Sequence, residues 1–208
     1  MNILAIGAHF DDLELGCGGT LARHVRQGDR VIGFVATNSG FERLDGNELR
    51  PVSTALEEGR SASKIIGYQL IAGDIPTFHV EYGETLHTKL LQIIERNQID
   101  LIYTHWINDV HHDHRNAALA TLHVSRHVNK LLMYRSNWYP SEKEFHGNFY
   151  VDITDTWSVK EQAILAYESE HKRVGDSWLT YFRQEAANYG LQIGKRYAEC
   201  FQTVRWVI

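Results

Sequence analysis

The stretch Asn2-Ile-Leu-Ala-Ile-Gly7 is a short apolar run that closes on a glycine, and Ala8-His-Phe-Asp-Asp-Leu-Glu14 follows it directly. An apolar run of this length without polar alternation is typical of a strand that is buried on both faces of a parallel sheet. The polar residues after it therefore lie at the carboxyl end of a strand, where open parallel sheets bind their ligands. This one stretch predicts both a central strand and a candidate site at its end.

Similar apolar runs recur along the chain, separated by stretches with helical periodicity. Four of them predict further strands, at residues 31–36, 69–72, 101–104 and 131–134. Apolar residues at helical spacing predict helices over residues 54–66, 85–94 and 115–128. This alternation favours an α/β fold with a Rossmann-like, doubly wound, mostly parallel sheet in the strand order 3-2-1-4-5.

The C-terminal third is less regular, and we expect strands at 149–153 and 200–206 with a helix at 156–167. No internal repeat, low-complexity tract or linker divides the 208 residues, a length that fits one compact domain. We therefore expect a single domain over residues 1–208. The segment Thr37–Pro51 is rich in Gly, Asn, Asp and Glu, and it predicts a mobile surface loop.

Composition and charge narrow the classes of function. The 21 Lys and Arg against 26 Asp and Glu give a net charge of −5, which argues against a nucleic-acid partner. No apolar run is long enough for a transmembrane segment, and no leader-like segment precedes Asn2, so we expect a soluble, cytoplasmic protein. With only Cys17 and Cys200, the chain lacks the cysteines for a disulfide framework or a Cys-based zinc site. By contrast, it holds 12 histidines, four of them within 105–114.

Two polar motifs follow neighbouring strands of the predicted sheet. His9-Phe-Asp-Asp12 comes after the first strand and His111-His-Asp-His114 after the fourth, and the crevice beyond these strands is the topological switch point. His9, Asp12 and His114 form a set of two imidazoles and one carboxylate that suits a catalytic zinc ion. Such an ion lowers the pKa of its bound water from ~15.7 to roughly 7. Ferrous iron fits the same donor set.

The adjacent aspartates predict a division of roles. Consecutive side chains do not normally face one ion together, so we expect Asp12 to bind the metal and Asp11 to reach the water. Asp11 is then the predicted general base, a role worth typically 10² to 10⁴ in rate.

The second motif predicts a similar division. His111 lies three positions before His114 on the same loop, so it is free to face the substrate. As an imidazolium it would stabilise an oxyanion or protonate a leaving amine, and Asp113 is the candidate carboxylate to orient it. We do not expect His105, at the strand end, or His112 to be ligands. The glycines at 16, 18 and 19 predict a tight turn with close helix packing.

Both motifs resemble those of a known family. Ala8-His-Phe-Asp-Asp-Leu-Glu14, followed by Gly16-Cys-Gly-Gly-Thr-Leu-Ala22, resembles the Ala-His-Pro-Asp-Asp-x-Glu signature of the LmbE-like (PIG-L) N-acetylglucosaminyl deacetylases, and His111-His-Asp-His114 resembles their His-x-Asp-His signature. The resemblance implies a Rossmann-like fold and zinc-dependent hydrolysis of an N-acetyl group, usually on an amino sugar. It also implies the following site: metal ligands His9, Asp12 and His114, general base Asp11, and oxyanion stabiliser or acid His111 beside Asp113.

Several positions depart from the family pattern. Phe10 replaces the usual proline without removing a ligand, so we expect metal binding to survive. Ala55 stands where an arginine is common ahead of Glu58, and Asn38-Ser39 replaces an Arg-Gly pair. Tyr167-Glu-Ser-Glu170 differs from the more typical His-x-Ser-Gln. These departures point to an N-acylated amino sugar other than a glucosaminyl-inositol.

The substrate side of the site rests on weaker signals. Arg43 and Arg50 are candidate contacts to a phosphate, as in a nucleotide-linked sugar, and Trp106, Trp138 and Tyr139 are candidate faces for a sugar ring. Three other functions fit the motifs: hydrolysis of an N-formyl or carbamoyl group, a catalytically idle sugar-binding module, and an iron oxygenase. Self-association as a homo-oligomer is common among members of the family that the chain resembles.

Overall fold

Nine strands are present in the computed structural model, which describes residues 1–42 and 45–208. In chain order they are β1 (Asn2–Gly7), β2 (Arg30–Thr37), β3 (Phe41–Glu42), β4 (Glu48–Arg50), β5 (Gln69–Ile75), β6 (Leu101–His105), β7 (Lys130–Tyr134), β8 (Phe149–Asp152) and β9 (Ala198–Trp206). Seven of them form one sheet in the order β5-β2-β1-β6-β7-β9-β8. The first five strands of this order are parallel, and β9 and β8 extend the sheet in antiparallel pairing. The predicted doubly wound order is therefore confirmed.

Seven helices accompany the sheet in the described part of the chain. They are α1 (Asp12–Arg26), α2 (Val52–Ile66), α3 (Glu84–Asn97), α4 (His112–Val124), α5 (Trp157–Leu165), α6 (Glu168–Val174) and α7 (Ser177–Gln192). The sequence did not predict α6 or α7. In α7 only Phe182, Ala186 and Gly190 are buried, a stripe too narrow to stand out from the polar residues around it. No helix among the described residues has the length and apolar character needed to cross a bilayer.

The central strand β1 is buried on both faces because helices cover the sheet on both sides. Ile3 and Ala5 belong to the apolar cluster that includes residues of α1, α2 and α5. Leu4 and Ile6 belong to the opposite cluster, which includes residues of α3 and α4. The unbroken apolar run of β1 is thus the direct consequence of a three-layer α/β/α arrangement.

The segment 37–51 is more ordered than its composition predicts. β3 and β4 pair as a short antiparallel hairpin within it, and Arg50 at the end of β4 is buried. The expectation of a mobile loop is wrong for this end of the segment, because a buried guanidinium must be held by partners.

The glycines after the first motif lie inside α1 and do not form the predicted turn. Their other predicted role, close packing, is confirmed. A Cβ on Gly16 would lie 2.1 Å from the Tyr134 ring, and one on Gly19 would lie 2.8 Å from Ile153. The absence of side chains therefore lets α1 lie directly on β7 and on the segment after β8.

Replacing Gly16 with alanine should destabilise the fold despite the better helix propensity of alanine. The added methyl group would collide with the fully buried Tyr134 ring, and such overpacking costs about 3 kcal/mol in the free energy of unfolding. Urea unfolding followed by circular dichroism would measure the loss. Gly83→Ala is the matched control, since nothing lies within 4 Å of the added Cβ there. Equal stability of the two variants would contradict the packing argument.

Candidate active site

The two polar motifs meet at the carboxyl ends of β1 and β6, which are neighbours in the sheet. His9 follows β1, Asp12 opens α1, and His114 lies in the first turn of α4. His9 Nδ1 lies 3.2 Å from His114 Nε2 and 3.5 Å from an Asp12 carboxylate oxygen. His114 Nε2 is 3.3 Å from the other oxygen of Asp12. The structure thus brings the three predicted metal ligands into contact with one another.

Two further carboxylates determine where the protons of these imidazoles sit. His9 Nε2 contacts Asp113 at 3.0 Å, and His114 Nδ1 contacts Asp109 at 3.1 Å. Although burial opposes it, the hydrogen bond from His114 lowers the pKa of Asp109 to about 2, and a hydrogen bond from His9 likewise lowers the pKa of Asp113. Both carboxylates are therefore ionised acceptors, and each imidazole must donate its N–H to one of them.

The remaining donor atoms are those that a divalent cation would use. His9 Nδ1 and His114 Nε2 are the ring nitrogens that Asp113 and Asp109 leave unused, and they face each other and the Asp12 carboxylate. Ligand atoms around a tetrahedral zinc ion with bonds of 2.0–2.1 Å are about 3.3 Å apart. The observed separations of 3.2, 3.3 and 3.5 Å, the last two measured to different oxygens of Asp12, lie close to that spacing. The donor set therefore fits a divalent metal ion.

The electrostatics of His9 lead to the same conclusion. Although burial alone would lower it, hydrogen bonds to Asp113 and Asp12 raise the pKa of His9 to about 10. The protein surroundings thus favour a positive charge at this point. A cation held by His9, Asp12 and His114 would supply that charge.

Asp12 is fixed by its own turn. One of its oxygens accepts the backbone N–H groups of Ala8 at 3.1 Å and His9 at 2.7 Å. The other accepts the Ser136 hydroxyl at 2.8 Å. Burial opposes ionisation, but the charge interactions with His114 and His105, and hydrogen bonds from His105 and His9, outweigh it and lower the pKa of Asp12 well below its usual range. Asp12 is therefore an ionised, immobile carboxylate.

Asp11 differs from its neighbour in every respect. Burial and the charge of Asp12 raise its pKa well above the usual value, and Arg50 is 3.7 Å from its carboxylate. Asp11 lines the same cavity as the predicted metal ligands. Among the described residues, its side chain forms no hydrogen bond with His9 or His114. Two adjacent carboxylates with opposite pKa shifts are typical of a ligand beside a proton acceptor.

The backbone of Asp11 is also strained. Its φ of 118° lies in the region that favours glycine, although a side chain is present. Strain of this kind at a functional residue persists only where the surrounding structure imposes it.

Asp11→Gly should therefore be more stable than Asp11→Ala by about 1 kcal/mol, because only glycine adopts this φ without strain. Both variants lack the carboxylate, so the comparison cancels the loss of its charge. Urea titration with equal m values in both variants would provide the difference. An alanine variant as stable as the glycine variant would show that the backbone at residue 11 is unstrained.

His111 caps the N-terminus of α4 and differs from the prediction in its charge. Its Nδ1 accepts the backbone N–H of Asp113 at 3.2 Å, which leaves the ring proton on Nε2. Burial, and then the neighbouring His114 and His9, lower the pKa of His111 to about 4. The ring is a neutral hydrogen-bond donor at neutral pH, whereas the sequence suggested an imidazolium. A neutral donor still suits an oxyanion.

The sequence suggested that the Asp113 carboxylate orients the His111 ring, but it does not. This carboxylate binds His9 and also accepts the backbone N–H groups of Phe78 at 2.8 Å and Val80 at 3.0 Å. Asp113 thus links a predicted metal ligand to the loop before α3. The contact is long-range in sequence, which is why the motif alone assigned the carboxylate to its nearest histidine.

Sequence reasoning missed three residues that support the predicted ligands, namely Asp109, Asn137 and His105. Asp109 holds His114 and accepts the backbone N–H of His111 at 2.8 Å, and Asn137 donates to both of its oxygens. The position of Asp109 five residues before His114, in the loop that leads into α4, was the sequence signal that could have identified it. His105 was excluded as a ligand from its place at a strand end, yet it is fully buried and lies 3.1 Å from Asp12.

The environment of His105 favours a proton on Nε2. This nitrogen lies 3.1 Å from an Asp12 oxygen and 3.0 Å from the backbone nitrogen of Ala8. Because the Ala8 N–H also reaches Asp12 at 3.1 Å, Nε2 can donate to the carboxylate, and burial first of all lowers the pKa of His105 and keeps the ring neutral. Its Nδ1 has no hydrogen-bond partner in the described structure, and the ring stacks on His114 with centroids 4.0 Å apart. His105 therefore orients one predicted ligand by a hydrogen bond and the other by packing.

His105→Phe should weaken divalent-metal binding 10- to 100-fold, since it keeps the ring on His114 but removes the hydrogen bond to Asp12. His105→Gln is the matched control, because its amide can donate from a similar position. Competition for zinc with a chromogenic chelator would give both affinities. If phenylalanine binds zinc as tightly as the wild type, with unchanged melting temperature of the metal-free protein, His105 has no role in orienting Asp12.

A cavity of about 340 Å³ opens in front of these residues. It is bounded by His9, Asp11, Asp12, His111 and His114 on the metal-binding side. Aromatic side chains form much of its wall, namely Phe41, Phe78, Trp138, Tyr139 and Trp178. Two of the predicted sugar-binding aromatics thus line the cavity. Trp106 does not, because it is largely buried and lines a neighbouring surface pocket instead.

Arg50 is a buried part of the site, although its sequence segment suggested an exposed loop. It is 4% exposed and donates to Glu58 at 2.9 Å. It thereby provides Glu58 with a guanidinium although Ala55 stands where the family commonly has an arginine. The other predicted phosphate contact, Arg43, lies outside the described residues.

Comparison with known proteins yields a consistent set of relatives. The family model described as PIG-L, GlcNAc-PI de-N-acetylase, matches residues 4–125. The diacetylchitobiose deacetylase of Thermococcus kodakarensis is 28% identical over 220 residues, covering 95% of this chain and 80% of that protein. The uncharacterized deacetylase YaiS of Escherichia coli is 34% identical over 151 residues, covering 65% of this chain and 75% of that protein.

A solved structure extends the likeness to the whole fold. The conserved protein TT1542 from Thermus thermophilus superposes with a TM-score of 0.83 at 26% identity, covering 99% of this chain and 95% of that one. The C-terminal part beyond residue 125 therefore belongs to the same architecture.

Proposed function

This chain belongs to the PIG-L family of GlcNAc-PI de-N-acetylases, and from that premise we propose that it is a zinc-dependent hydrolase that removes the N-acetyl group from an amino sugar or sugar conjugate. Relatives that are named deacetylases support an amide hydrolase. The observation that carries the proposal is the meeting of two imidazole nitrogens and the Asp12 carboxylate beside a second carboxylate, Asp11.

Three residues would hold the metal ion, and the rest of the site would do the proton chemistry. A zinc ion bound by His9, Asp12 and His114 would supply a Lewis acid and an acidic water molecule near neutral pH. Ferrous iron suits the same donors, so zinc is part of the proposal.

Asp11 accepts a proton from the attacking water, since its raised pKa brings it closer to neutrality than an ordinary aspartate. The water oxygen adds to the amide carbon, and the neutral His111 donates its Nε2 proton in a hydrogen bond to the oxyanion. The proton held by Asp11 then passes to the amide nitrogen as the C–N bond breaks. The products are acetate and the free amine, and no covalent intermediate on the protein is needed.

Residues beyond the range of the family model, which covers residues 4–125, also line this cavity. Glu170 and Arg173 of α6 and Trp178 of α7 line it. These contacts support one catalytic domain over residues 1–208. A phosphate-bearing, nucleotide-linked sugar remains a substrate to be tested, with Arg50 and Arg173 as the arginines that line the cavity in the described chain. Arg50 is paired with Glu58, and Arg173 is paired with Glu170.

We also retain a cytoplasmic location and self-association as proposals. Fractionation of the host cells and sedimentation velocity of the purified chain would test them. A divalent metal ion is the cofactor that we propose.

The purified protein should release acetate from N-acetylated sugars, lose this activity to a chelator and regain it with zinc. Asp11→Asn should keep the metal content and lose 10² to 10⁴ in turnover, because the amide cannot accept the proton. His114→Ala should lose the metal, because it removes a direct ligand. Metal analysis of each variant beside acetate release would separate the two roles.

An Asp11→Asn protein without metal would show that Asp11 is a ligand and that its assignment as the base is wrong. His111 is the matched test of the second motif, since its ring lies beside those of His9 and His114 and could serve as a further ligand. His111→Ala should retain the metal and lose turnover if the ring is an oxyanion donor.

The alternatives give different products. An N-formyl or carbamoyl hydrolase would release formate or carbamate in place of acetate from the corresponding sugars. An idle binding module would bind the sugars without releasing any acid. An iron oxygenase would contain iron after anaerobic purification and would consume oxygen.

A further inference from the structure

Three strained residues surround the same cavity. In the described chain, four non-glycine residues have a positive φ: Asp11, Ser39, Phe78 and Gln98. The first three line the cavity in front of the predicted metal ligands. Phe78 is the most unusual, because a bulky side chain at φ 70° is a genuine outlier and the residue is 47% exposed.

Hydrogen bonds from the site hold Phe78 in this conformation. Its backbone N–H donates to Asp113 at 2.8 Å, and its carbonyl accepts from His112 Nε2 at 2.7 Å. Asp113 also binds His9, so the backbone of Phe78 is tied to a predicted metal ligand through one carboxylate. The position of the ring is therefore coupled to the geometry of the site.

The ring of Phe78 lies beside the predicted oxyanion donor. It stacks on His111 with centroids 5.4 Å apart and an interplanar angle of 19°, and Phe41 meets it edge-on at 5.7 Å. Phe41 and Phe78 together form an aromatic ledge at the cavity. Any group bound next to an amide carbonyl at His111 would pass over this ledge.

Stability of the fold does not account for this arrangement. A strained backbone costs free energy, and a half-exposed phenylalanine regains little of it from burial. A glycine would remove the strain, and a polar residue would remove the exposed apolar surface. The ring is therefore best explained by a bound molecule that covers it.

We propose that Phe78 is a specificity-determining residue, whose ring supports the apolar C–H face of the sugar ring that carries the N-acyl group. This inference rests on the proposed function. A pyranose presents such a face beside its amide nitrogen, and aromatic rings bind apolar faces through their large, rigid surface.

The test compares a cyclic with an acyclic amide. Phe78→Ala should lower kcat/KM for methyl N-acetylglucosaminide about tenfold, mainly through KM, and should leave N-acetylethanolamine within about twofold, because the acyclic amide has no ring face to lose. Phe78→Tyr should keep the wild-type preference. Tyr82→Ala is the matched control, since Tyr82 is 51% exposed and does not line the cavity.

Phe78→Gly covers the risk that the alanine variant misfolds, because glycine suits φ 70° and still lacks the ring. Calorimetric titration with methyl glucosaminide, the deacetylated product, should show the same tenfold loss of affinity in both variants without relying on turnover. Equal losses for the cyclic and acyclic amides would mean that the ring only positions His111, and that result would overturn the inference.

Failure of the proposed function gives a different result. Wild-type protein that releases acetate from neither amide would refute the deacetylase, whereas titration would still compare sugar binding in the wild type and in Phe78→Ala. Equal sugar binding by these two proteins, or no binding by the wild type, would overturn the role of Phe78.

Discussion

The buried carboxylate of Asp12 is the constraint on which the site depends. A negative charge in the interior is stable only if it is hydrogen-bonded and paired. Asp12 satisfies this with two backbone N–H groups of its own turn, with Ser136 after β7, and with the imidazole of His105. These partners lie at the ends of three adjacent strands. The adjacency of β1, β6 and β7 in the sheet therefore brings together the groups that stabilise this buried charge.

The same interaction orders the proton positions around it. Because Asp109 and Asp113 take the N–H groups of His114 and His9, the opposite ring nitrogens are left as acceptors beside Asp12. The arrangement lacks one positive charge, and the high pKa of His9 reflects that deficit. Asp11 remains outside this set, held 3.7 Å from Arg50. The different predicted roles of Asp11 and Asp12 thus follow from the different partners of their carboxylates and not from their order in the chain.

The sequence predicted the sheet well because the signal for a parallel strand is local. An apolar run such as Asn2–Gly7 already shows that both faces are covered, and ligands then belong at its carboxyl end. It could not predict contacts between distant segments. Nothing near Asp113 indicates that its carboxylate binds His9 and the backbone of Phe78, and nothing near Arg50 indicates Glu58 as its partner. Helix α7 escaped prediction because its buried stripe is narrow.

Two departures from the family signature can be explained as compensated pairs. Phe10 stands in place of a proline, and its backbone N–H, which proline lacks, donates to the Ser39 hydroxyl at 2.8 Å. Ser39 itself stands where the family has a glycine of an Arg-Gly pair. Likewise Arg50 reaches Glu58 where Ala55 leaves the usual arginine missing. Both pairs lie around Asp11, through its neighbour Phe10 and through the Arg50 contact. The residues around the predicted base Asp11 thus differ from the family pattern, whereas the predicted metal ligands do not. This combination is expected if the chemistry is retained and the substrate differs.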